Sequence, residues 1–207
     1  MQPRRRYLAW KLAGTLAGWA GPKLLDSYEA ERMPITAQVS RFAMDHAHAM
    51  ARRRGGVAPE IEDDSNVGTV ARAALGRAAY DLNVQQYCAS GLNFGSYYDA
   101  SPLIAYDGAA HPPYAMGSFT PSTVPGCRAP HLWLDGQSLY DLLGDGHALL
   151  RFDPCADPAR LVAAAAARGM TLPVLDLPAD ADPAYLNRLV LVRPDQFVVW
   201  AGNDAAD

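Results

Sequence analysis

The sequence has little cysteine, no long hydrophobic run and no large excess of charge of either sign. Its three cysteines, Cys88, Cys127 and Cys155, are an odd and widely spaced set, which matches neither a disulfide framework nor a zinc site and predicts a cytoplasmic location. No apolar stretch approaches the roughly 20 residues of a membrane-spanning helix. The formal net charge of −4 disfavours nucleic acid, because phosphate binding requires a cationic surface. We therefore expect no membrane and no nucleic acid as partner.

The composition is that of a folded protein. Half of the 207 residues are hydrophobic and 19% are charged, as in globular proteins and unlike disordered chains. A chain of this length can form one or two domains with their own hydrophobic cores.

The first residues leave one targeting alternative open. Arg4–Arg6, followed by an alanine- and leucine-rich stretch, resembles a twin-arginine export signal. Against that interpretation, Lys11 interrupts the apolar stretch, whereas an export signal is uniformly apolar there. The large apolar residues also share one helical face: Leu8, Leu12, Leu16 and Trp19. Such a stripe favours an amphipathic surface helix.

Apolar residues at helical spacing predict a helical region in the first part of the chain. We expect helices over residues 7–18 and 23–32. A third helix is expected to begin at Pro34, whose missing N–H costs nothing in a first turn, and to end at the cluster Arg52–Arg54. The acidic and polar stretch 57–66 predicts a loop.

A further helix is expected over residues 67–87. Gly68 and Gly76 weaken that prediction, since each costs up to about 1 kcal/mol against alanine inside a helix. The apolar face is expected to carry Val70, Ala74, Ala78 and Leu82.

Residues 88–130 predict an ordered connector with irregular turns. Glycine, proline, serine and tyrosine dominate this stretch, and helical periodicity is absent. Its many tyrosines indicate packing on a partner domain or on the connector itself, because a freely solvated linker would not carry them.

The last third alternates strand and helix. We expect a strand over 147–152, a helix that Asp157 caps and Pro158 begins, and a second strand over 172–177. Residues 189–200 predict a hairpin with a proline in its turn. This order is that of a thioredoxin-like domain, and the right-handed crossover makes the first two strands parallel.

Five runs of residues together resemble one protein family. They are YLAWKLA at 7–13, LLDSYEAERMP at 24–34, PGCRAPH at 125–131, SLYDLLG at 138–144 and LVRPDQ at 191–196. Jointly they resemble the carboxyl-terminal portion of FAD-dependent aromatic ring hydroxylases of the phenol hydroxylase and chlorophenol monooxygenase type. The resemblance covers about residues 7–202.

This resemblance implies a fold and an activity. The fold is α+β: a helical remnant of the FAD and substrate domain over 1–87, the irregular connector over 88–130, and a thioredoxin-like α/β domain over 131–207. The activity implied for the complete enzyme is hydroxylation of phenolic rings with FAD, NAD(P)H and O2, in which the flavin supplies the oxygen chemistry.

The flavin-binding part of that family is not recognisable in this sequence. No glycine-rich dinucleotide fingerprint follows a strand. Tyr7 stands where the family usually has asparagine, and Arg4 where it often has aspartate. We therefore assign no catalytic, cofactor-binding or metal-binding residue, and expect no cofactor and no activity on this chain alone.

Two kinds of partner follow from that expectation. The first is a missing flavin domain or a second subunit of a split enzyme. The alternative is a non-catalytic thioredoxin-like module for packing or dimerisation, which would form a homodimer.

Cys155 is the one residue that suggests a different chemistry. It lies between a predicted strand and a predicted helix, where thioredoxins carry paired cysteines and a helix N-terminus activates a thiol. Pro158 stands in place of the second cysteine, and Asp153 and Asp157 oppose thiolate formation. An ordinary loop cysteine is therefore favoured over a thiol function.

Other polar and aromatic sets favour structural roles. His46 and His48 point to different faces of a helix, which is poor geometry for a metal. Tyr97 and Tyr98 could touch an aromatic substrate in a complete enzyme, but packing within the connector is favoured. A solvated loop is favoured over a cation site for the acidic run: Glu60, Glu62, Asp63 and Asp64.

Overall fold

The computed structural model describes residues 4–205, and the side chains of residues 7–205. The helices are α1 (Arg4–Leu16), α2 (Lys23–Gly55), α3 (Asn66–Tyr87), α4 (Ser90–Phe94), α5 (Leu139–Leu142) and α6 (Ala159–Ala166), with a 3-10 helix at Pro59–Glu62. The strands are β1 (Trp133–Leu134), β2 (Gln137–Ser138), β3 (Ala148–Arg151), β4 (Val174–Asp176), β5 (Leu189–Val192) and β6 (Val198–Gly202). The predicted α+β class is confirmed. No helix within residues 4–205 is both long enough and apolar enough to cross a membrane.

These elements form two compact units that interleave along the chain. The first unit contains residues 1–33, 96–113 and 120–207, and the second contains residues 34–95 and 114–119. The division of the sequence into three successive family domains stays a prediction.

A four-stranded sheet forms the centre of the first unit. Its strand order is β4-β3-β5-β6; β3 and β4 are parallel, and the other neighbours are antiparallel. The strand–helix–strand unit followed by a hairpin is therefore confirmed. Asp157 accepts a hydrogen bond from the backbone N–H of Ala159 at 2.9 Å, but the N-cap of α6 is Pro158 and the helix begins at Ala159, one residue later than the sequence predicts.

Alternate residues of the sheet fill two hydrophobic cores on its opposite faces. Leu150 and Val190 lie in one core, whereas Leu149 and Leu189 lie in the other, against Leu161 of α6. This alternation is the period-two pattern of a strand. It fixes the register of the hairpin, since a shift by one residue would exchange the two faces.

A small hairpin, β1–β2, is a feature that the sequence analysis did not predict. Its turn is formed by Asp135, with φ of 48°, and Gly136, with φ of 82°. Both residues are in the left-handed region that a two-residue hairpin turn requires. The Asp-Gly dipeptide after the apolar run 132–134 was the available signal.

Residues of the predicted connector join the first unit by backbone pairing. The N–H of Gly126 donates to the carbonyl of Val198 in β6 at 2.9 Å, and the N–H of Tyr98 donates to the carbonyl of Gly126 at the same distance. Gly126 has φ of +100°, and a Cβ there would lie 2.1 Å from the carbonyl oxygen of Tyr98. Only glycine fits this close approach, which explains the glycine of the PGCRAPH motif.

Two helix predictions in the first part of the chain are wrong. The segment 23–32 and the segment beginning at Pro34 are one continuous helix, α2, with the proline inside it. Pro34 lies where the first unit ends and the second begins. An interior proline removes one backbone hydrogen bond, and the burial of Glu31 and Ile35 on either side of it holds the helix together there.

The faces of α1 and α3 are also rotated from the predicted ones. In α1 the buried residues are Trp10, Lys11 and Gly14, while the predicted leucine stripe is exposed. In α3, Val70 is 62% exposed and Leu75 is half-buried, although Ala78 and Leu82 of the predicted face are half-buried too. In both helices alanine and glycine dilute the pattern, so the stripe of large apolar residues does not mark the buried face.

In the second unit, α3 begins next to the 3-10 helix. The predicted loop over 57–66 contains this helix. Ser65 caps α3 by accepting a hydrogen bond from the N–H of Gly68 at 3.1 Å. A Cβ at position 68 would lie 2.1 Å from the carbonyl oxygen of Asp63, whereas a Cβ at Gly76 would meet nothing within 4 Å. The two glycines of this helix therefore have different roles.

We predict opposite effects for the same substitution at these two glycines. Gly68→Ala should lower the free energy of unfolding by about 2 kcal/mol, because the new methyl group collides with backbone. Gly76→Ala should raise it by up to about 1 kcal/mol, because alanine is the better helix former at an open position. Urea denaturation followed by circular dichroism measures both changes. Two effects of the same sign would contradict this packing.

Candidate functional site: a buried charge cluster beside an apolar cavity

Four charged side chains meet in the interior of the first unit. They are Lys11 of α1, Glu31 of α2, and Arg193 and Asp195 of the turn between β5 and β6; we call them the charge cluster. Arg193 binds Glu31 through two bonds, Nη1 to Oε1 at 2.6 Å and Nη2 to Oε2 at 3.0 Å. It binds Asp195 through Nε to Oδ1 at 3.0 Å and Nη2 to Oδ2 at 2.6 Å. Lys11 Nζ lies 2.8 Å from Glu31 Oε2.

Two serines complete the hydrogen bonding of the charge cluster. Lys11 Nζ donates to Ser27 Oγ at 2.5 Å, and Ser27 donates in turn to the carbonyl of Leu24 at 2.6 Å. Ser101 Oγ donates to Glu31 Oε1 at 2.5 Å. Glu31 therefore accepts four hydrogen bonds, which is about the capacity of a carboxylate.

The local sequence explains how one turn supplies both Arg193 and Asp195. The N–H of Gln196 donates to the carbonyl of Arg193, and the N–H of Arg193 donates to the carbonyl of Phe197, each at 2.9 Å. Pro194 occupies the second position of this turn, where its fixed φ is suitable. The turn therefore places the guanidinium and the carboxylate two residues apart on the same side.

The charge cluster is electrically balanced and almost fully buried. Its four charged side chains are at most 1% exposed, and two cations face two anions. Burial alone would raise the pKa of Glu31, but its bonds to Arg193 and Lys11 hold that pKa below the ordinary value. Burial alone would lower the pKa of Arg193, but Asp195 and Glu31 raise it. At neutral pH both groups of this central pair are ionised.

Aromatic rings surround the cations of the charge cluster. The guanidinium carbon of Arg193 lies 5.0 Å from the ring centre of Trp10 and 5.1 Å from that of Tyr98. Lys11 Nζ lies 5.4 Å from the Trp10 ring. Tyr98 stacks on Phe197 at 4.2 Å. These distances are within cation–π range, so the rings exclude water and also stabilise the positive charges.

An open cavity of about 680 Å³ lies beside the charge cluster, within the first unit. Most of its wall is apolar. The side chains in the wall that carry polar atoms are those of Trp10, Trp19, His147, Arg168 and Arg193. The His147 ring meets the Trp10 ring edge to face at 5.4 Å and the Trp19 ring at 6.1 Å. Burial, and then the nearby charge of Arg193, lower the pKa of His147 to about 4. His147 is therefore neutral at pH 7.

The charge cluster has a structural role. Each of its charged groups is already bonded to an opposite charge, so none is free to move a proton to or from a substrate. What the charge cluster does is join α1, α2 and the β5–β6 turn, because all three segments must be in place before every charge has its partner.

Cys155 and the two histidines of α2 belong neither to the charge cluster nor to the wall of this cavity. Cys155 is exposed, and its N–H donates to Asp153 at 2.8 Å. His46 stacks on Phe42 with ring centres 6.1 Å apart, and His48 is exposed. Among the described side chains no group of three His, Cys, Asp or Glu could hold a metal ion.

The acidic run and the tyrosine pair take structural positions. Arg72 Nη1 donates to the carbonyls of Ile61 and Asp63, each at 2.9 Å, so the backbone of the acidic run is tied to α3. Tyr97 stacks on His111 at 4.3 Å, and Tyr98 is part of the aromatic wall of the charge cluster. The side chains of Arg4–Arg6 lie outside the described residues.

Lys11, Glu31, Arg193 and Asp195 are the residues that sequence reasoning missed, although each lies in a run that carries the family resemblance. A charged residue on a helix is usually exposed, and a single sequence does not say which charges will meet. The signal that was present is the position of Lys11, between Trp10 and Leu12 in an otherwise apolar run.

Two family models match this chain. Residues 5–43 match a family described as "FAD binding domain". Residues 122–207 match a family described as "Aromatic-ring hydroxylase, C-terminal".

Individual relatives agree with these matches. The chain is 32% identical over 208 residues to the FAD-dependent monooxygenase opdD of Penicillium oxalicum, covering 95% of this chain and 39% of that protein. It is 32% identical to a phenol 2-monooxygenase of a Pseudomonas species, covering 93% of this chain and 37% of that protein. The chain thus spans less than two fifths of the length of these relatives.

A solved structure has the same fold. The rebeccamycin biosynthetic enzyme RebC with reduced flavin superposes with a TM-score of 0.83 at 34% identity, over 97% of this chain and 38% of RebC. The flavin-dependent monooxygenase PieE, solved with FAD and substrate, superposes with a TM-score of 0.78 at 28% identity, over 98% of this chain and 41% of PieE.

The described residues do not include the glycine-rich fingerprint of a dinucleotide site. A dinucleotide site needs a strand, a glycine-rich turn and a helix whose free N–H groups bind the pyrophosphate. Between residues 4 and 205, the turn from β3 to α6 comes nearest in topology, but it contains no glycine and carries Asp153 and Asp157, whose charges would repel phosphate. No step of a reaction can be assigned through FAD to these residues.

Removal of one charge tests the charge cluster. Glu31→Gln should lower the free energy of unfolding by about 3 kcal/mol, because it leaves two buried cations with a single carboxylate. Asp176→Asn is the control, since it removes the carboxylate of an exposed pair with Arg151, which water screens. Urea denaturation of both variants gives the comparison. Equal losses would mean that the charge cluster is not a stabilising constraint.

A second prediction concerns pH. His147 has a folded pKa of about 4 against an ordinary value of 6.5, so below pH 6.5 the unfolded chain binds a proton that the folded chain does not. The contribution of His147 to the free energy of unfolding has its full value above pH 6.5. It is lost as the pH falls towards 4, at no more than about 1.4 kcal/mol per pH unit. Glu31, whose folded pKa is lowered, adds a loss below pH 4.5.

His147→Phe should therefore flatten the dependence of the unfolding free energy on pH between 6.5 and 4.5. His48→Phe, at an exposed position on α2, is the matched control, and the flattening is measured relative to this variant. Urea titrations at intervals of half a pH unit measure it. An unchanged slope in the His147 variant would show that this residue is not buried in its neutral form.

Proposed function

We propose, from the match of this chain to the carboxyl-terminal portion of FAD-dependent aromatic-ring hydroxylases in sequence and fold, that it serves as that portion of a monooxygenase. The complete enzyme would hydroxylate phenolic aromatic compounds with FAD, NAD(P)H and O2. The described residues contribute positioning rather than chemistry.

The observation that carries the proposal is where the charge cluster lies relative to the two family matches. Lys11 and Glu31 belong to the stretch 5–43 that matches the FAD-binding family. Arg193 and Asp195 belong to the stretch 122–207 that matches the hydroxylase carboxyl-terminal family. The charge cluster thus fastens the end of a flavin domain to the thioredoxin-like domain, and this is a function that a bridge of ion pairs with fixed geometry performs well.

The outer face of α1 supports a flavin domain as the partner. Leu8, Leu12 and Leu16 are 36%, 43% and 88% exposed, and their spacing places them on one side of the helix, away from buried Trp10 and Lys11. Three aligned leucines on a helix within the FAD-binding match are suited to cover the remainder of such a domain.

The non-catalytic alternative keeps a specific observation in its favour. The charge cluster and both hydrophobic cores of the sheet are complete within the first unit, so this unit has what a packing module needs. We expect the chain alone to be inactive and to remain cytoplasmic. A homodimer is the expected state if no flavin domain joins it.

A chimera tests the proposed function. This chain should replace the matching region of the opdD monooxygenase, and the chimera should bind FAD at one per chain, seen as flavin absorbance after gel filtration. The isolated chain should be colourless and should not oxidise NAD(P)H with a phenol. Stoichiometric FAD on the isolated chain, with NAD(P)H oxidation, would overturn the proposal that the flavin domain must be supplied.

The leucine face of α1 provides the decisive variant. Leu12→Glu in the chimera should lower the retained FAD by at least about tenfold, because a charge would be buried without a partner against the flavin domain. Leu186→Glu, at a position that is 83% exposed and outside the FAD-binding match, is the control and should retain FAD. Equal retention would place the flavin domain elsewhere.

A further inference from the structure

The second unit has almost no hydrophobic core of its own. Of the described residues in this unit, Ile35 and Met116 are the hydrophobic side chains that are buried. Helices in proteins owe most of their stability to packing of an apolar face against other elements. The second unit therefore has apolar helix surface that its own residues do not cover.

Helix α3 of this unit has apolar residues on two nearly opposite faces. The outer face contains Val70, Tyr80 and Tyr87, which are 62%, 68% and 81% exposed. The other face is half-buried and contains Ala71, Leu75, Ala78 and Leu82. A helix that packs on one side only has a polar outer face. Large apolar side chains on both sides indicate that α3 has a second packing partner.

The outer face of α3 follows a seven-residue repeat. Its positions are alternately three and four residues apart, and we call them the α3 seam: Val70, Ala73, Arg77, Tyr80, Val84 and Tyr87. This spacing is that of a coiled coil, in which two helices pack side by side along such a seam. At a rise of 1.5 Å per residue the seam is about 26 Å long. Its shape therefore fits another helix.

Arg77, in the middle of the α3 seam, decides how two copies could pair. In a parallel pair, Arg77 would face Arg77 of the second copy, and the like charges would repel. In an antiparallel pair with a two-fold axis between residues 78 and 79, Arg77 faces the ring of Tyr80 instead, which attracts a cation. Within residues 7–205 Arg77 belongs to no ion pair, so it is available for this contact.

The same two-fold axis pairs the rest of the α3 seam with itself. Val70 faces Tyr87 of the second copy, and Ala73 faces Val84, so each smaller side chain meets a larger one. The axis forms every contact twice, and the seam is covered from end to end. In antiparallel coiled coils, as here, the two positions of the repeat face each other rather than themselves.

The place of α3 in the chain favours a second copy over a flavin domain as its partner. Helix α3 lies outside residues 5–43, which match the FAD-binding family, and outside residues 122–207, which match the hydroxylase carboxyl-terminal family. We propose that two copies of this chain pair through antiparallel α3 seams about a two-fold axis. This inference goes beyond the proposed function, since it concerns the second unit and holds with or without a flavin domain.

A charge on the α3 seam tests the location of the interface. A contact one helix wide is at the low end of specific interfaces, near or below roughly 1,200 Å² of buried surface, so the dimer should be weak. Sedimentation velocity of the full chain from about 1 to 300 μM covers such affinities. Val70→Glu should raise the dissociation constant of the dimer by at least about tenfold, because the two-fold axis buries the new charge twice.

A second substitution tests the antiparallel register. Tyr87→Lys added to Val70→Glu should lower the dissociation constant at least about fivefold from that of Val70→Glu alone, because opposite charges then face each other across the interface. Positions 70 and 87 are about 26 Å apart within one helix, so only a second copy can bring them together. Val70→Glu with Tyr80→Lys has the same net charge and is the matched control; it should give no recovery.

Four results would overturn the proposal. One is a chain that stays monomeric over the whole concentration range. The second is a dimer that Val70→Glu does not weaken. The third is equal behaviour of the two double variants, which would exclude this register. The fourth is loss of the dimer in Leu12→Glu, which would place the interface on the leucine face of α1; FAD retention by the chimera is measured separately and tests the proposed function alone.

Discussion

The rest of the first unit depends on the burial of four charges in one place. Removing Lys11, Glu31, Arg193 and Asp195 from water is unfavourable, and their mutual attraction repays it only if every bond is made. The two bonds between Arg193 and Glu31 also have an orientation, since both groups are planar. The charge cluster therefore constrains how α1, the first turns of α2 and the β5–β6 turn meet, because each charge has a specific partner.

This constraint explains why no reactive group was found where the motifs meet. The same bonds that satisfy the charges leave them unavailable to a substrate, so the most recognisable residues of the chain are those that hold the chain together. A site for chemistry needs unsatisfied groups in reach of solvent.

The elements that sequence reasoning predicted are those whose signals are local. The strands β3 and β4, the helix between them and the proline turn of the hairpin follow from periodicity and turn chemistry within a dozen residues. The continuity of α2 through Pro34 was missed because packing of Glu31 and Ile35 outweighs the preference of proline for a first turn. The buried face of α1 was missed because its charge is neutralised by residues far away in the chain.

The candidate site could not be predicted from local sequence patterns, because its residues are far apart in the sequence. Lys11 and Glu31 are separated by 20 residues, and Glu31 and Arg193 by 162. A single sequence gives each of these residues an identity but does not indicate its partner. Three of the five runs that carry the family resemblance, at 7–13, 24–34 and 191–196, contain these residues, and the fold explains why the runs occur together.

The separation of 162 residues between Glu31 and Arg193 also sets an order of events during synthesis. Contacts between distant parts of a chain form late, since the intervening chain must first lose its freedom. Until the β5–β6 turn has left the ribosome, Lys11 and Glu31 remain hydrated like any surface pair, and α1 has no reason to bury its charged face. The charges of both helices therefore stay solvated until β5, β6 and the turn between them have been synthesised.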